Sequence, residues 1–240
     1  MNELQTPGAL AADSAAAAAW METIDAVTRG LTHALGNRMF SVWSIGTAMR
    51  ERPAEPRWGE VFEPEMARLD ALLQLFRSLE LDREGELEPI ALPEALAVAV
   101  ALLGQHPDLR AVAVQVPDDA PARTSPAPVL ARRATLIQAL LLLLIDAARE
   151  SAEDAVPIRV SYSVPSTAGF VSVHITRTAE GAPTGLVRAA RILLAHAGGS
   201  VRSGAGQVGQ VGQVGQVAGR VVLLPELGAA RRAAAGHPRA

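Results

Sequence analysis

The first part of the chain carries one long stripe of apolar residues. From Asp13 to about Glu51 there is no proline, and apolar residues recur at spacings of three and four, namely Ile24, Val27, Leu31, Leu35, Met39, Val42, Ile45 and Met49. This periodicity predicts a single amphipathic helix, roughly 50 Å long at about 1.5 Å per residue. A helix of that length needs a partner helix to bury its stripe.

A second apolar stripe follows a proline-rich break. Pro53 and Pro56 end the first pattern, and a second helix is predicted from about Glu63 to Leu81, with Pro64 in its first turn. Its stripe consists of Met66, Leu69, Leu72, Leu73, Phe76 and Leu79. Two helices with one stripe each close a core poorly, whereas two copies can form a four-helix bundle. We therefore expect residues 12–83 to form an antiparallel helical hairpin that assembles as a homodimer.

The second half of the chain alternates short strands and helices. The pattern predicts an extended piece at about 87–92, a helix at 93–103, a strand at 111–116 and a proline-rich loop at 117–128. An apolar helix at about 130–151 is followed by two strands at 158–164 and 170–176. A helix at about 184–197 and two closing strands at 200–202 and 220–224 complete the pattern. The four-fold Gly-Gln-Val repeat at 206–217 is interpreted as a low-complexity loop insertion. The fold class is thus α+β, with an α/β sandwich at 86–226 and a disordered tail at 227–240.

Composition excludes several classes of function. The chain has no cysteine, which rules out disulfides, thiolate catalysis and zinc held by cysteine. A net charge of −3 provides no field that would attract nucleic acid or an anionic membrane. The longest apolar runs fall far short of the roughly 20 residues that span a bilayer, and the N-terminus lacks a signal-peptide pattern. We expect a cytoplasmic protein without a nucleic-acid or membrane partner.

His33 is the candidate reactive residue. It lies two residues from both Leu31 and Leu35, so at about 100° per residue it points away from the buried stripe. A neutral imidazole on an exposed helical face has a nitrogen free to attack phosphorus. The same helix is also compatible with a plain dimerisation coil, in which Phe40 would lie in the seam and His33 would have no role.

Several neighbours share the outward face of His33. Arg29, one turn before it, could hold a phosphoryl oxygen. Asn37, one turn after it, could donate a hydrogen bond to a phosphoryl group or orient a water. Phe40 is a large exposed apolar residue of the kind that docking surfaces carry, and Arg38 and Ser44 complete the predicted partner-binding surface.

Residues 32–39 (THALGNRM) resemble the phosphoacceptor box of bacterial sensor histidine kinases, which reads His-Glu/Asp-Leu-x-Asn-Pro-Leu. The resemblance implies that His33 is the phosphorylated histidine, and that Asn37 takes the position implicated in dephosphorylating the response regulator. Two positions depart from the box. Ala34 replaces the acidic residue that activates the histidine during autophosphorylation, and Arg38 replaces the proline.

The second half resembles the ATP-binding domain of the same kinases. Residues 136–151 resemble its N-box helix, residues 185–187 and 192–200 resemble the helix after its second glycine box, and residues 219–225 resemble its closing strand. The matches occur in the family's order over about residues 20–225. They imply a degenerate histidine-kinase ATPase (GHKL-like) sandwich.

The residues that hold the nucleotide in that family are missing here. Asp146 stands at the magnesium position, which could still bind a hard cation, and Leu142 stands where the family has a preceding Asn. The segment after Thr176 contains no Asp-x-Gly-x-Gly motif, and the short distance to Thr184 leaves no room for a lid. We therefore expect no ATP binding, no autokinase activity and no cofactor in this chain.

The resemblance implies a histidine phosphotransferase of a bacterial phosphorelay, which shuttles phosphoryl groups between response-regulator aspartates through His33. Its partners would be receiver domains, which would also supply the Mg²⁺. Three alternatives stay open: a non-catalytic dimeric scaffold or sequestering partner of a regulator, a regulator phosphatase that uses Asn37, and a divergent active kinase. The other histidines (His106, His174, His196 and His237) do not have the spacing of a metal site.

Overall fold

The computed structural model describes residues 13–52, 57–80, 86–116, 128–154, 156–163, 170–176, 183–195, 199–210 and 213–225. Residues 117–127 of the predicted loop, the segment 177–182, the tail at 227–240, His196 and His237 lie outside these residues. The helices are α1 (Ser14–Glu51), α2 (Trp58–Arg77), α3 (Leu92–Leu103), α4 (Arg133–Asp154) and α5 (Gly185–Ala195). The strands are β1 (Glu88–Ile90), β2 (Val114–Gln115), β3 (Val129–Ala131), β4 (Ile158–Ser163), β5 (Phe170–Thr176), β6 (Ser200–Gln210) and β7 (Gln213–Pro225).

The predicted first helix is confirmed as one uninterrupted element of 38 residues. Asp13 caps it, because its side chain accepts a hydrogen bond from the backbone N–H of Ala16 at 3.0 Å. The predicted start of the second helix is wrong, since α2 begins at Trp58 and carries Pro64 in its interior. Proline removes one helical hydrogen bond, but this stretch of α2 is exposed, so water can solvate the carbonyl that is left.

The sheet confirms the predicted α/β sandwich. Five strands pair in the order β2-β4-β5-β7-β6, with β2 parallel to β4 and the other pairs antiparallel. Helix α4 contacts β4 and β5 of this sheet, and helix α5 contacts β6 and α4. Along α4, the side chains from Leu136 to Ala148 are buried on all sides, so this helix forms the centre of the core. The fold is therefore α+β, with a helical hairpin followed by a mixed sheet and its helices.

Two boundaries of the apolar middle region differ from the prediction. The helix was predicted to begin at about residue 130, but residues 129–131 form β3, which pairs antiparallel with β1 in a separate two-stranded sheet. Helix α4 consequently begins at Arg133. A short apolar run has no periodicity of its own, so only pairing with the distant residues of β1 decides that it is a strand.

The interpretation of the Gly-Gln-Val repeat as a loop is wrong. Strands β6 and β7 run through it as an antiparallel hairpin, whose register continues from Ser200↔Leu223 to Gln210↔Gln213. A period of three does not give the alternation of apolar and polar residues that marks a strand in sequence. The hairpin is held instead by backbone hydrogen bonds, which any residue except proline can make.

The first half of α1 packs on the sandwich and shares its core. Leu31 and Val27 are fully buried in the same cluster as the residues of α4. Two glycines allow the close approach: a Cβ on Gly30 would lie 1.7 Å from the carbonyl oxygen of Gln105, and one on Gly185 would lie 2.7 Å from that of Ala15. The hairpin and the sandwich are therefore in direct contact. None of the described helices combines the length and the apolar character that crossing a bilayer requires.

Candidate functional site

His33 lies near the middle of α1 and is exposed. Its orientation follows from the helix, because Leu31 is fully buried against the sandwich and His33 is rotated about 200° away from it. Gly30, one turn earlier, lies against the loop that follows α3. The histidine is thus presented at the point where α1 leaves the sandwich.

Asn37 contacts the imidazole of His33. The distance from its Nδ2 to the Nε2 of His33 is 3.2 Å, and both side chains are exposed. When the amide N–H donates to Nε2, the neutral ring carries its proton on Nδ1 and its lone pair on Nε2. In that arrangement Nε2 carries the lone pair that can attack an electrophile. Because this hydrogen bond is exposed to water, breaking it costs little free energy.

Arg29 is engaged by a neighbour that the sequence reasoning missed. Its guanidinium donates to the carboxylate of Asp25, one turn earlier on α1, and both side chains are about 70% exposed. An exposed pair of this kind contributes at most about 1 kcal/mol. Arg29 can therefore leave Asp25 for a stronger anion. The signal in the sequence was the i, i+4 spacing of an acid and a base.

Arg38 links the two helices of the hairpin. Its Nη1 donates to Oε2 of Glu65 on α2 at 3.1 Å, and Glu65 also accepts from Arg68. Desolvation raises the pKa of Glu65, but the hydrogen bonds and positive charges of Arg68 and Arg38 outweigh it, so the pKa lies below its ordinary value. Arg38 thus fastens α1 to α2, and it is not a free cation beside His33.

An exposed apolar cluster, the aromatic patch, follows the histidine on α1. It consists of Met39, Phe40 and Trp43, which are 62%, 66% and 64% exposed. The rings of Phe40 and Trp43 lie 5.9 Å apart and are tilted by 36°. Ser44, predicted in the same surface, is half-buried. Sequence reasoning found Phe40 but missed Trp43, although the spacing of three residues was visible.

The polar residues of α4 make internal contacts. Asp146 is 3% exposed, and its Oδ1 accepts a hydrogen bond of 2.7 Å from the hydroxyl of Thr184. That hydroxyl also accepts from the backbone N–H of Val187 at 3.3 Å, so the pair fixes the start of α5. Among the described residues, no three His, Asp or Glu side chains are grouped as a metal site would need.

Gln138 joins three elements in the core. Its side chain is fully buried, accepts a hydrogen bond of 2.9 Å from the indole of Trp20 on α1, and donates one of 2.7 Å to the carbonyl of Leu79 beyond α2. Two ion pairs reinforce the same contact, from Arg149 to Glu22 at 2.8 Å and from Arg188 to Asp13 at 3.1 Å. The sandwich therefore holds the histidine-bearing helix through both polar and apolar contacts.

The other described histidines are less accessible than His33. His106 is 6% exposed, and burial lowers its pKa. Its Nδ1 accepts a hydrogen bond of 3.3 Å from the backbone N–H of Asp108. His174 lies in β5, 3.3 Å from the hydroxyl of Ser172, and burial lowers its pKa as well. Neither presents an open ring nitrogen on an exposed helical face.

A wide groove lies between the end of α2 and the start of α4. Its volume is about 720 Å³, and its lining includes Arg77, Arg132 and Arg133 together with Glu80, Glu86 and Glu88. Neither His33 nor Asp146 lines it. Charges of both signs are balanced along this groove, so it offers no field that selects an anion or a cation.

Comparison with known proteins gives structural likeness only. No protein-family model matches the chain. No curated protein matches it. The chain is similar to the solved structure of the Acinetobacter baumannii histidine kinase AdeS, with a TM-score of 0.42 and 14% identity over 81% of this chain and 98% of that chain. It is also similar to the mycobacterial sensor histidine kinase MprB, with a TM-score of 0.40 and 18% identity over 58% of this chain and 99% of that chain. The cytoplasmic segment of the histidine kinase QseC has a TM-score of 0.37 and 19% identity over 69% of this chain and 93% of that chain. TM-scores below 0.5 are too low to assign an activity.

Proposed function

We propose that this protein is a histidine phosphotransferase of a bacterial phosphorelay. His33 would receive a phosphoryl group from the aspartate of one response regulator and pass it to an aspartate of another. The observation that carries this proposal is the exposed contact of 3.2 Å between Nδ2 of Asn37 and Nε2 of His33. The aromatic patch, which begins two residues after Asn37, supplies an apolar surface for docking a receiver domain.

The transfer needs only groups that the two proteins would bring together. Nε2 of His33 attacks the phosphorus of the aspartyl phosphate, and the bond to the aspartate oxygen breaks, with its electron pair staying on the carboxylate. In the second half-reaction, a carboxylate oxygen of the next regulator attacks the phosphorus and the bond to Nε2 breaks. Asn37 can then donate to a phosphoryl oxygen, and Arg29 can exchange Asp25 for the same group. Mg²⁺ would be bound by the acidic pocket of the regulator.

The contacts of α4 support a sandwich that does not use ATP. Asp146 contacts Thr184, and Gln138 contacts Trp20 and Leu79, so this buried carboxylate and this buried amide both have partners within the fold. We propose that the sandwich acts as a brace which holds α1 in place for docking. Residues 12–83 and 86–226 are then two functional parts of one packed unit.

We propose that the hairpin dimerises through its uncovered apolar residues. None of the residues of α2 is fully buried, and Val61, Met66 and Leu73 are 40–46% exposed on its surface. A second copy can cover these side chains by completing a four-helix bundle. Light scattering on the full chain measures the mass, and a monomer at high micromolar concentration would exclude this arrangement.

The deciding experiment follows a labelled phosphoryl group. A receiver domain carrying a radiolabelled aspartyl phosphate is mixed with wild-type protein, with His33→Ala, or with a matched control, Thr32→Ala, which changes the neighbouring exposed residue. We expect label on the wild type and on the Thr32 variant, and none on the His33 variant. Absence of label on wild type from every cognate receiver would exclude phosphotransfer.

The exposed amide of Asn37 also favours a second candidate, a phosphatase for response regulators. In that case the receiver loses its label as inorganic phosphate, Asn37→Ala abolishes the loss, and His33 carries no label at any time. A scaffold, which the alanine at position 34 would suit, binds the receiver and changes neither the label nor its position. Tight binding of ATP in calorimetry would overturn the proposal that the sandwich does not use ATP and would make an active kinase the leading candidate.

A further inference from the structure

The Gly-Gln-Val segment forms a two-stranded ribbon that extends beyond the five-stranded sheet. Among the described residues, strand β7 pairs with β5 from Gly219 to Pro225. The pairing of β6 with β7 continues past that point, from Ala205↔Ala218 to Gln210↔Gln213. At about 3.4 Å per residue, the ribbon projects roughly 20 Å from the sheet. A glycine-rich ribbon of two strands is marginally stable alone, so additional strands would stabilise it.

The free edge of this ribbon carries none of the usual blocking residues. In the described sheet β6 is an edge strand, so alternate N–H and C=O groups along it point away from β7. Proteins commonly protect such edges with lysine, proline or other charged residues. The sequence from Ser203 to Gly219 contains no charged residue and no proline. Within the part of the chain that the structure describes, no strand pairs with this edge, so another strand can add to it.

The register within the ribbon indicates which strand fits. Glutamine is paired with glutamine at Gln207↔Gln216 and Gln210↔Gln213. Glycine is paired with valine at Gly206↔Val217, Val208↔Gly215 and Gly209↔Val214. The cause is the three-residue repeat Gly-Gln-Val running in opposite directions on two antiparallel strands. The middle residue, glutamine, then faces glutamine, and the two outer residues, glycine and valine, face each other. The repeat is thus complementary to its own sequence, and a second copy of this chain is the occupant that matches it.

We propose that β6 pairs antiparallel with β6 of a second copy, which joins two ribbons into one four-stranded sheet. Two-fold symmetry requires that one residue faces itself, and Gln207 is the glutamine nearest the middle of the free edge. The flanking pairs are then Gly206 with Val208, Gly209 with Ala205, and Gly204 with Gln210. Each flanking pair contains a glycine, so two large residues never face each other. This contact is separate from the hairpin and does not depend on His33.

The absence of cysteine makes the register directly testable. A single engineered cysteine can form a disulfide only between two copies. In Gln207→Cys the two cysteines face each other, and facing Cα atoms about 4.5–5.5 Å apart lie within the range that a disulfide bridges. Gln210→Cys is the matched control in the same strand. Its two cysteines would be six residues out of register, about 20 Å apart, which a disulfide cannot span.

The full-length variants are oxidised under identical mild conditions, and the linked dimer is measured by non-reducing electrophoresis and intact mass. We expect Gln207→Cys to give about five-fold or more linked dimer than Gln210→Cys, given the distance limits of a disulfide. Adding Val208→Lys to Gln207→Cys should reduce the yield to that of the control, because it places a charge at the edge. Equal yields from the two cysteine variants, or no linked dimer from Gln207→Cys at high micromolar concentration, would overturn the proposal.

Discussion

Replacing Gly30 with alanine adds one methyl group where α1 lies against the loop after α3. The new Cβ would lie 1.7 Å from the carbonyl oxygen of Gln105 and 2.8 Å from its carbonyl carbon. Real Cβ atoms do not approach other atoms closer than 3.0 Å, so helix or loop must move by at least 3.0 − 1.7 = 1.3 Å. Both obstacles are backbone atoms, and no side-chain rotation relieves the contact.

The two opposing effects of this substitution have known sizes. Alanine favours a helix interior over glycine by about 1 kcal/mol. Overpacking a buried contact typically costs about 1–3 kcal/mol, and a backbone clash of this depth belongs at the upper end. We therefore expect Gly30→Ala to destabilise the protein by about 1–2 kcal/mol net. For a chain of this size, that corresponds to a fall in Tm of roughly 2–8 °C.

Gly36→Ala provides the matched control in the same helix. Nothing lies within 4 Å of a Cβ at this position, so only the gain in helix propensity remains. We expect this variant to be more stable than wild type by up to about 1 kcal/mol. Urea unfolding followed by circular dichroism measures both variants. If Gly30→Ala is as stable as Gly36→Ala, the contact between α1 and Gln105 is not formed. The proposal that the sandwich holds α1 in place would then be wrong.

Three further predictions address the core, the pH dependence and the hairpin. Gln138→Leu should cost about 1–3 kcal/mol in urea unfolding for each partner it leaves unpaired, whereas a loss under 0.5 kcal/mol would show that these hydrogen bonds are not made. Burial lowers the pKa of His106 below its usual 6.5 in the folded protein. At a pH below 6.5 the unfolded state therefore binds more protons than the folded state, so the free energy of unfolding should fall as the pH drops from 7.5 to 5.5. His106→Gln should lessen this fall, and an unchanged pH profile would exclude His106 as its source. In a Val208→Lys background, which blocks the proposed β6 contact, Leu73→Glu should shift the mass in light scattering from dimer to monomer, and a dimer that persists would place the hairpin interface elsewhere.

The sequence alone determined those features that depend on local periodicity. The stripe of α1 predicted its full length and the exposure of His33, because a helix repeats every 3.6 residues wherever one face is buried. The alternation of apolar residues predicted β5, and the continuous apolar run predicted the buried helix α4. Composition also excluded cysteine chemistry without any structural information.

Only the tertiary structure decided which distant residues meet. Arg38 with Glu65, Gln138 with Trp20, and Asp146 with Thr184 are separated by 27, 118 and 38 positions, and no local pattern connects them. The repeat at 206–217 became a ribbon for a related reason. Backbone hydrogen bonds between two strands carry no signature in side-chain polarity, so register appears only when both strands are in place.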